Sequence, residues 1–187
     1  MNSLEKAEIA LTMSKETIFE SLMHEYGPKI LNMVYLMIKD QKIAEDITQE
    51  TFMKAYMNWD YFRGESEPKT WLYRIAINET KKYVRSWSFR TIFSKLTLQS
   101  QQQAQNKVTD DTESIFFKQN GAVELRKLVL SLSPDYQQVI ILRYYQELEM
   151  KEIAFILQIK EEAVRKRLSR ARQQIKQMLE SRGETWM

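Results

Sequence analysis

Apolar residues recur along this chain at i, i+3, i+4 and i+7, the spacing of one helix face. A first helix opens at Ser14, a candidate N-cap, and carries Phe19, Leu22, Met23 and Tyr26 on one side. Gly27-Pro28 is expected to bend or break it, because proline lacks a backbone donor and clashes with the preceding turn. The pattern resumes with Ile30, Leu31, Val34, Tyr35 and Ile38, while residues 1–13 read as loosely structured or as a short helix.

Residues 42–60 form the next amphipathic stretch, with Ile43, Ile47, Phe52, Ala55 and Trp59 inward and Asp46, Gln49, Glu50 and Met53 on the other side. A methionine among acids suits a protein interface as well as it suits a solvated acidic face. A loop with Gly64 follows, and a helix starts near Pro68 with Leu72, Ile75, Ala76 and Tyr83 facing inward. Arg74, Asn78, Lys81 and Arg85 lie at i, i+4, i+7 and i+11, with Trp71 and Trp87 near the two helix ends and Tyr61 and Phe62 in the loop. Cations interleaved with aromatics match the needs of single-stranded nucleic acid, backbone charge and flat stacking surfaces. The plainer alternative keeps the aromatics in the core, and Trp71, beside the apolar stripe, is read that way.

Periodicity fails from residue 87 to about 121, where Gln, Ser, Thr and Asp dominate, and this stretch reads as a flexible linker. Ile115-Phe116-Phe117 is a short apolar knot within it, a candidate docking segment. Periodicity returns with Val123, Leu128, Val129 and Leu132. Ser133-Pro134 then pairs an N-cap residue with proline at the first helical position, a start signal for a helix through Val139, Ile140, Leu142 and Tyr144.

The last two helices are the most informative. Met150, Ile153, Ala154 and Leu157 share one short stripe; Val164, Leu168, Ala171, Ile175 and Leu179 share another. At about 100° per residue, Glu162, Lys166, Ser169, Arg170 and Gln173 lie opposite the second stripe, flanked by Arg165, Arg167 and Arg172. From residue 160 to 182 there are eight Lys/Arg (160, 165, 166, 167, 170, 172, 176, 182) and three Asp/Glu (161, 162, 180). A merely solvated face does not need that concentration, and a helix-turn-helix with a DNA-recognition helix does. The central residues are expected at base edges and the flanking arginines on phosphates. The turn Gln158-Ile159-Lys160 lacks the usual Gly and Ser/Thr. Gln158 in a left-handed conformation costs about 1 kcal/mol, and Lys160 cannot cap, though Glu161 and Glu162 place anions in the first turn.

Composition narrows the class. The chain has 187 residues with 4 Gly, 3 Pro and no Cys, which suits an all-helical protein without disulfides in a reducing cytoplasm. No uncharged run approaches a membrane span, and the N-terminus has no secretory pattern. The net charge of +3 is unevenly spread. Residues 1–62 carry 6 basic and 10 acidic side chains, net −4, and residues 63–95 carry 8 and 3, net +5. Two basic blocks, the second in the last helices, suggest two contacts on one polyanion, and the acidic block suggests a protein partner. His24 reads as a surface residue, and no metal, cofactor or catalytic constellation is visible.

Four segments in order, AEDITQETFMKAY (44–56), FRGESEPKTWLYRIAIN (62–78), LSLSPDYQQVIILRYYQELEMKEIAFIL (130–157) and VRKRLSRARQQIK (164–176), resemble the extracytoplasmic-function (ECF) group of bacterial sigma factors. The resemblance implies an all-α fold of two small helical domains joined by a flexible linker. Residues 14–88 would bind core polymerase and recognise and melt the minus-ten element; 89–121 would be the linker. Residues 122–182 would form a four-helix domain whose helix-turn-helix reads the minus-thirty-five element as duplex. Asp46, Gln49, Glu50 and Met53 would dock on the clamp coiled coil of the β′ subunit, with the β subunit as a further polymerase partner. A base flipped from the non-template strand would enter a pocket of the loop 61–69, built with Tyr61, Phe62, Arg63 and Lys69. Arg74, Asn78, Lys81 and Arg85 would hold the strand. The resemblance also implies an anti-sigma factor, often a membrane protein, a role in stress response, and no small-molecule substrate. It departs from the family at the turn 158–160, and Ile115-Phe116-Phe117 matches no family motif.

The competing reading is a free-standing helix-turn-helix regulator that binds operator DNA without polymerase. It needs a dimerisation or ligand domain in the N-terminal half, where this chain has an acidic helix followed by an aromatic-cationic one. A third reading, a protein-interaction adaptor with incidental basic helices, requires that no DNA be bound even with polymerase present.

Overall fold

A computed structural model of the chain describes residues 14–97 and 120–181, with side chains for 14–86 and 125–181. The described residues form seven α-helices and no strand. They are α1 Lys15–Ile38, α2 Gln41–Met57, α3 Pro68–Thr97, α4 Asn120–Ser131, α5 Pro134–Ile140, α6 Met150–Leu157 and α7 Glu161–Glu180. A 3-10 turn, Trp59–Tyr61, follows α2, and a single π turn, Ile141–Tyr145, continues α5.

The helix ends follow from local chemistry. Ser14 accepts the Thr17 amide at 3.3 Å and Asp40 accepts the Ile43 amide at 3.0 Å, each satisfying a donor with no partner inside the helix. Ser133 caps α5 through its backbone geometry alone, with Pro134 at the first position. Gly64 sits at φ 69° in the loop between α2 and α3, where a β-carbon would be strained.

Three expectations are corrected. Helix α1 runs unbroken through Pro28, so only the expectation of a break fails outright. The lost bond is local, and packing of α1 on both α2 and α3 holds the helix on either side. Met23, expected inward, is 53% exposed, whereas Met33 and Leu36 are buried in its place. Helix α3 continues to Thr97 and α4 begins at Asn120, so regular structure enters both ends of the stretch read as a linker. The rest of that stretch, with Ile115-Phe116-Phe117, and residues 1–13 lie outside the described residues.

Helices α1, α2 and α3 pack together, and α5, α6 and α7 pack together with α4 against α5 and α7. The two halves also share a face: α3 packs on α6, and α1 on α5 and the π turn. Leu72 and Ala76 make the expected inward stripe of α3, but Tyr73 (2% exposed) and Ile77 (0%) are buried as well. They lie roughly 100–140° round the helix from Leu72, so α3 is buried on two sides. The Tyr73 hydroxyl donates to Gln146 Oε1 of the C-terminal half at 2.6 Å, which identifies what covers the second side.

Candidate nucleic-acid and protein-docking surfaces

On α2, Asp46 and Gln49 are exposed and Glu50 is half-buried, while Ala44, Ile47, Thr51, Phe52 and Ala55 face the core. Met53 (49% exposed) and Met57 (65%) continue the outer face, with Met23 of α1 and Tyr56 also exposed. Glu50 lies 3.0 Å from Lys54, whose ammonium also meets Glu79 of α3 at 2.6 Å. The Glu79 hydrogen bond holds that ammonium above its ordinary range. The face combines carboxylates, amide and flexible methionines, chemistry that suits a basic or amphipathic helix.

In the loop before α3, Tyr61 is 80% exposed. Phe62 instead joins an aromatic cluster, stacked on Trp59 at 5.3 Å and tilted against Trp71 at 5.0 Å. Trp71 is half-buried against the core, as its place beside the apolar stripe suggests. Arg63 is exposed, 4.0 Å from Glu65. A pocket of about 220 Å³ opens here between Tyr61, Phe62, Arg63, Trp71 and Arg74, with Phe155 of α6 on one side.

The cationic stripe of α3 is only partly open. Asn78 and Arg85 are exposed, and Arg74 and Lys81 are half-buried. The Arg74 guanidinium lies 4.8 Å from the Phe155 ring centre. Burial pushes the Lys81 ammonium down, and Asp135 opposes this. Lys69 lies 3.2 Å from Glu67 and 3.3 Å from Glu152 of α6. The side chain of Trp87 lies outside the described residues.

Helix α7 divides as the wheel requires. Val164, Leu168, Ala171 and Ile175 are buried; Glu162, Arg165, Lys166, Ser169, Arg170, Arg172 and Gln173 are exposed. Glu161 pairs with Arg165, and Glu162 with Lys166 at 2.8 Å. Such exposed i,i+4 pairs are worth about 0.3–0.5 kcal/mol and yield readily to a phosphate. Arg167 differs: it is tied to Asp135 of α5 at 2.8 Å and is mostly covered.

The turn before α7 works without glycine. Gln158 adopts φ 58°, ψ 43°, the left-handed conformation. The Ile159 amide donates to Ala154 O at 3.1 Å and the Gln158 amide to Phe155 O at 3.4 Å, the paired bonds of a Schellman end. Ile159 packs on the core, supplying the apolar contact that accompanies the motif. Lys160 stands at the N-cap of α7 with no side-chain bond, so Glu161 and Glu162 are the first-turn compensation. The start of α6 is stronger, because Glu149 and Glu152 form a reciprocal capping box.

Among the described residues no cluster of three or more His, Cys, Asp or Glu is placed to hold a metal, and no helix is long and apolar enough to cross a membrane. His24 is exposed on α1. Sequence reasoning missed Phe155, Glu152 and Gln146, all of which face α3. The one available signal was Phe155 itself, an aromatic on the side of α6 opposite its apolar stripe.

Comparison with known proteins agrees with this architecture. Residues 22–89 match sigma-70 region 2 and residues 122–175 match sigma-70 region 4. The chain is 30% identical over 166 residues to the RNA polymerase sigma-H factor of Pseudomonas aeruginosa, covering 87% of this chain and 86% of that one. It is 33% identical to the RNA polymerase sigma factor YlaC of Bacillus subtilis, covering 92% and 98%. It is 32% identical to the ECF sigma factor SigW of the same organism, covering 86% and 88%. A solved structure of the sigma factor RpoE of Bartonella quintana, in complex with the anti-sigma factor NepR, has the same fold, with a TM-score of 0.69 over 87% of this chain and 96% of that one at 23% identity. The chain belongs to the ECF group of RNA polymerase sigma factors.

Proposed function

We propose that this protein is an alternative sigma factor that binds core RNA polymerase, recognises promoter DNA and melts it at transcription initiation. The observation that carries this is the order of parts: an acidic-methionine face on α2, an aromatic-cationic loop and helix, then a helix-turn-helix with a bare basic face. Asp46, Gln49, Glu50 and Met53 dock on the β′ clamp, and the exposed Met57 extends that surface. Tyr61, Phe62, Arg63 and Lys69 form the capture loop, and Arg74, Asn78, Lys81 and Arg85 hold the non-template strand of the minus-ten element. Unstacking a base costs a few kcal/mol, which cations and a stacking surface in place beforehand repay. Glu162, Lys166, Ser169, Arg170 and Gln173 read the minus-thirty-five duplex, with Arg165 and Arg172 on phosphates. Arg167 contributes there only after leaving Asp135.

The role is that of an initiation factor rather than an enzyme, with no cofactor and no small-molecule substrate. It is exercised in the cytoplasm, where polymerase and DNA are, and an anti-sigma factor that covers the polymerase-docking face would hold it in check. The domains are residues 14–88 and 122–182, with 89–121 as the connecting segment. Co-migration of the chain with purified core polymerase on gel filtration tests the docking face. Asp46→Lys should lower that affinity more than tenfold while leaving the circular-dichroism melt unchanged. Specific duplex binding by the chain alone, with no association with core, favours the free-standing regulator and overturns this reading.

A further inference from the structure

The sulfur chemistry of this chain is thioether chemistry alone, since it has 10 Met and no Cys. The fold sorts the described methionines by reach. Met33 is fully buried, and Met37, Met150 and Met178 pack against the core. The Met178 sulfur also accepts the Ser131 hydroxyl at 3.4 Å. Met23 of α1 and Met53 and Met57 of α2 are exposed, the last two at 49% and 65%. Asp46, Glu50, Met53 and Met57 lie at i, i+4, i+7 and i+11, a single stripe of α2. That stripe is turned away from the buried Ala44, Ile47, Thr51 and Ala55. Part of its charge is already committed: Glu50 is held by Lys54, and Lys54 also by Glu79. The two thioethers, one turn apart, are its adaptable part.

We propose that Met53 and Met57 are a paired oxidation site, at which a peroxide converts both thioethers to sulfoxides and so weakens the hold of the chain on core polymerase. The inference rests on the reading of this α2 face as the polymerase-docking face. In the reaction a sulfur lone pair attacks one peroxide oxygen. The S–O bond forms as the O–O bond breaks, and the departing oxygen takes up the proton of the attacked one and leaves as water. Sulfur loses two electrons and the peroxide gains them. Both sulfurs are open to solvent in the free chain, so a peroxide reaches them without unfolding. A thioether is apolar and flexible and moulds to an irregular partner surface. A sulfoxide carries a strongly hydrated acceptor oxygen, which docking must strip of water. The neighbouring carboxylates Asp46 and Glu50 offer that oxygen no donor, and the Lys54 ammonium is held by Glu50 and Glu79. Once docked the sulfurs are covered, so the modification is made on the unassembled factor. Methionine sulfoxide reductases, drawing electrons from a dithiol, reverse it.

The test treats the full chain with hydrogen peroxide, locates sulfoxides by peptide mass spectrometry, and measures affinity for purified core polymerase. Met53 and Met57 should convert well before the buried Met33. Affinity should fall about tenfold once both carry oxygen, with the circular-dichroism melt unchanged. The reductases for both sulfoxide epimers, with dithiothreitol, should restore it. Met53→Leu with Met57→Leu, compared with its own untreated form, should lose about twofold or less on the same treatment. Peroxide added to preformed holoenzyme should leave both residues unmodified. Undiminished affinity with both sulfoxides in place overturns the proposal, as does their ready oxidation within intact holoenzyme. An equal loss in the double variant assigns the effect to Met23 or another residue and overturns it too. Should that variant not bind when untreated, partly oxidised wild type decides: the loss must follow sulfoxide at 53 and 57 and not at 23. An untreated wild-type chain that does not bind core overturns the docking reading itself, and the oxidation site with it.

Discussion

Tyr73 of α3 donates its hydroxyl to Gln146 at 2.6 Å, and this bond lies in the buried face between the two halves of the molecule. Burial pushes the phenol far above its ordinary pKa, so it remains a donor at any working pH. Tyr73→Phe keeps the ring and removes the donor, leaving Gln146 Oε1 without it. The expected loss is about 1–3 kcal/mol of stability by urea denaturation. Since the bond bridges the halves, the variant should also unfold with less coincident transitions by fluorescence and circular dichroism than the wild type does.

The turn before α7 carries two repairable defects. Gln158 is left-handed at φ 58° and exposed. Gln158→Gly should stabilise the chain by about 1 kcal/mol, because glycine has no β-carbon to clash. Lys160 holds N-cap geometry without a capping side chain. Lys160→Ser should add about 0.5–1 kcal/mol. A rise in the midpoint of thermal unfolding for each, additive in the double variant, checks both.

Arg170 and Arg167 should part company in DNA binding. Arg170 is exposed at the centre of the basic face, and Arg167 is bound to Asp135. Arg170→Ala should cost about 1–3 kcal/mol at particular upstream bases, seen as relaxed sequence preference when holoenzyme is assayed on substituted promoters. A uniform loss over all sequences would make Arg170 a phosphate contact. Arg167→Ala should act chiefly on stability, through the α5–α7 packing that its ion pair supports.

Closure of the two halves should depend on pH through Glu152. Burial raises this carboxyl, but the Glu149 amide, the Thr70 hydroxyl and Lys69 together outweigh burial and hold it below its ordinary value of 4.5. Of these partners only Thr70 and Lys69 belong to the other half, so their share of the lowering favours the closed form, fully above that ordinary value, and is lost as pH falls through the lowered one. Lys69 is opposite in sense, raised by Glu67 and Glu152 against burial, so its share is lost only in strong alkali. The chain has no native cysteine, so two dyes can be placed on the exposed faces of α2 and α7. Energy transfer between them should fall at acid pH before the helices unfold, and Glu152→Gln should flatten that fall.

What was legible in the sequence was whatever a single helix face encodes. The stripe Val164, Leu168, Ala171, Ile175 and the bare side around Arg170 follow from a period of 3.6 alone. The surface between the halves was not legible, because its residues lie off the stripes. Tyr73 and Ile77 lie to one side of the inward face of α3, and Phe155 lies opposite that of α6. A helix buried on two sides blurs its own periodicity. Helix α1 runs through Pro28 because packing on both sides of a lost hydrogen bond outweighs a local rule. The turn at Gln158 is strained, as its sequence implies, but the Ile159 contact, which no local propensity reveals, stabilises it.

Run-off transcription by purified core polymerase on sheared genomic DNA from the source organism, with and without this chain, tests the central claim most directly. The account predicts new transcripts whose starts share an upstream sequence pair, and their loss with Asp46→Lys in the docking face. Transcripts unchanged by the chain, while it binds duplex DNA specifically on its own, would contradict it.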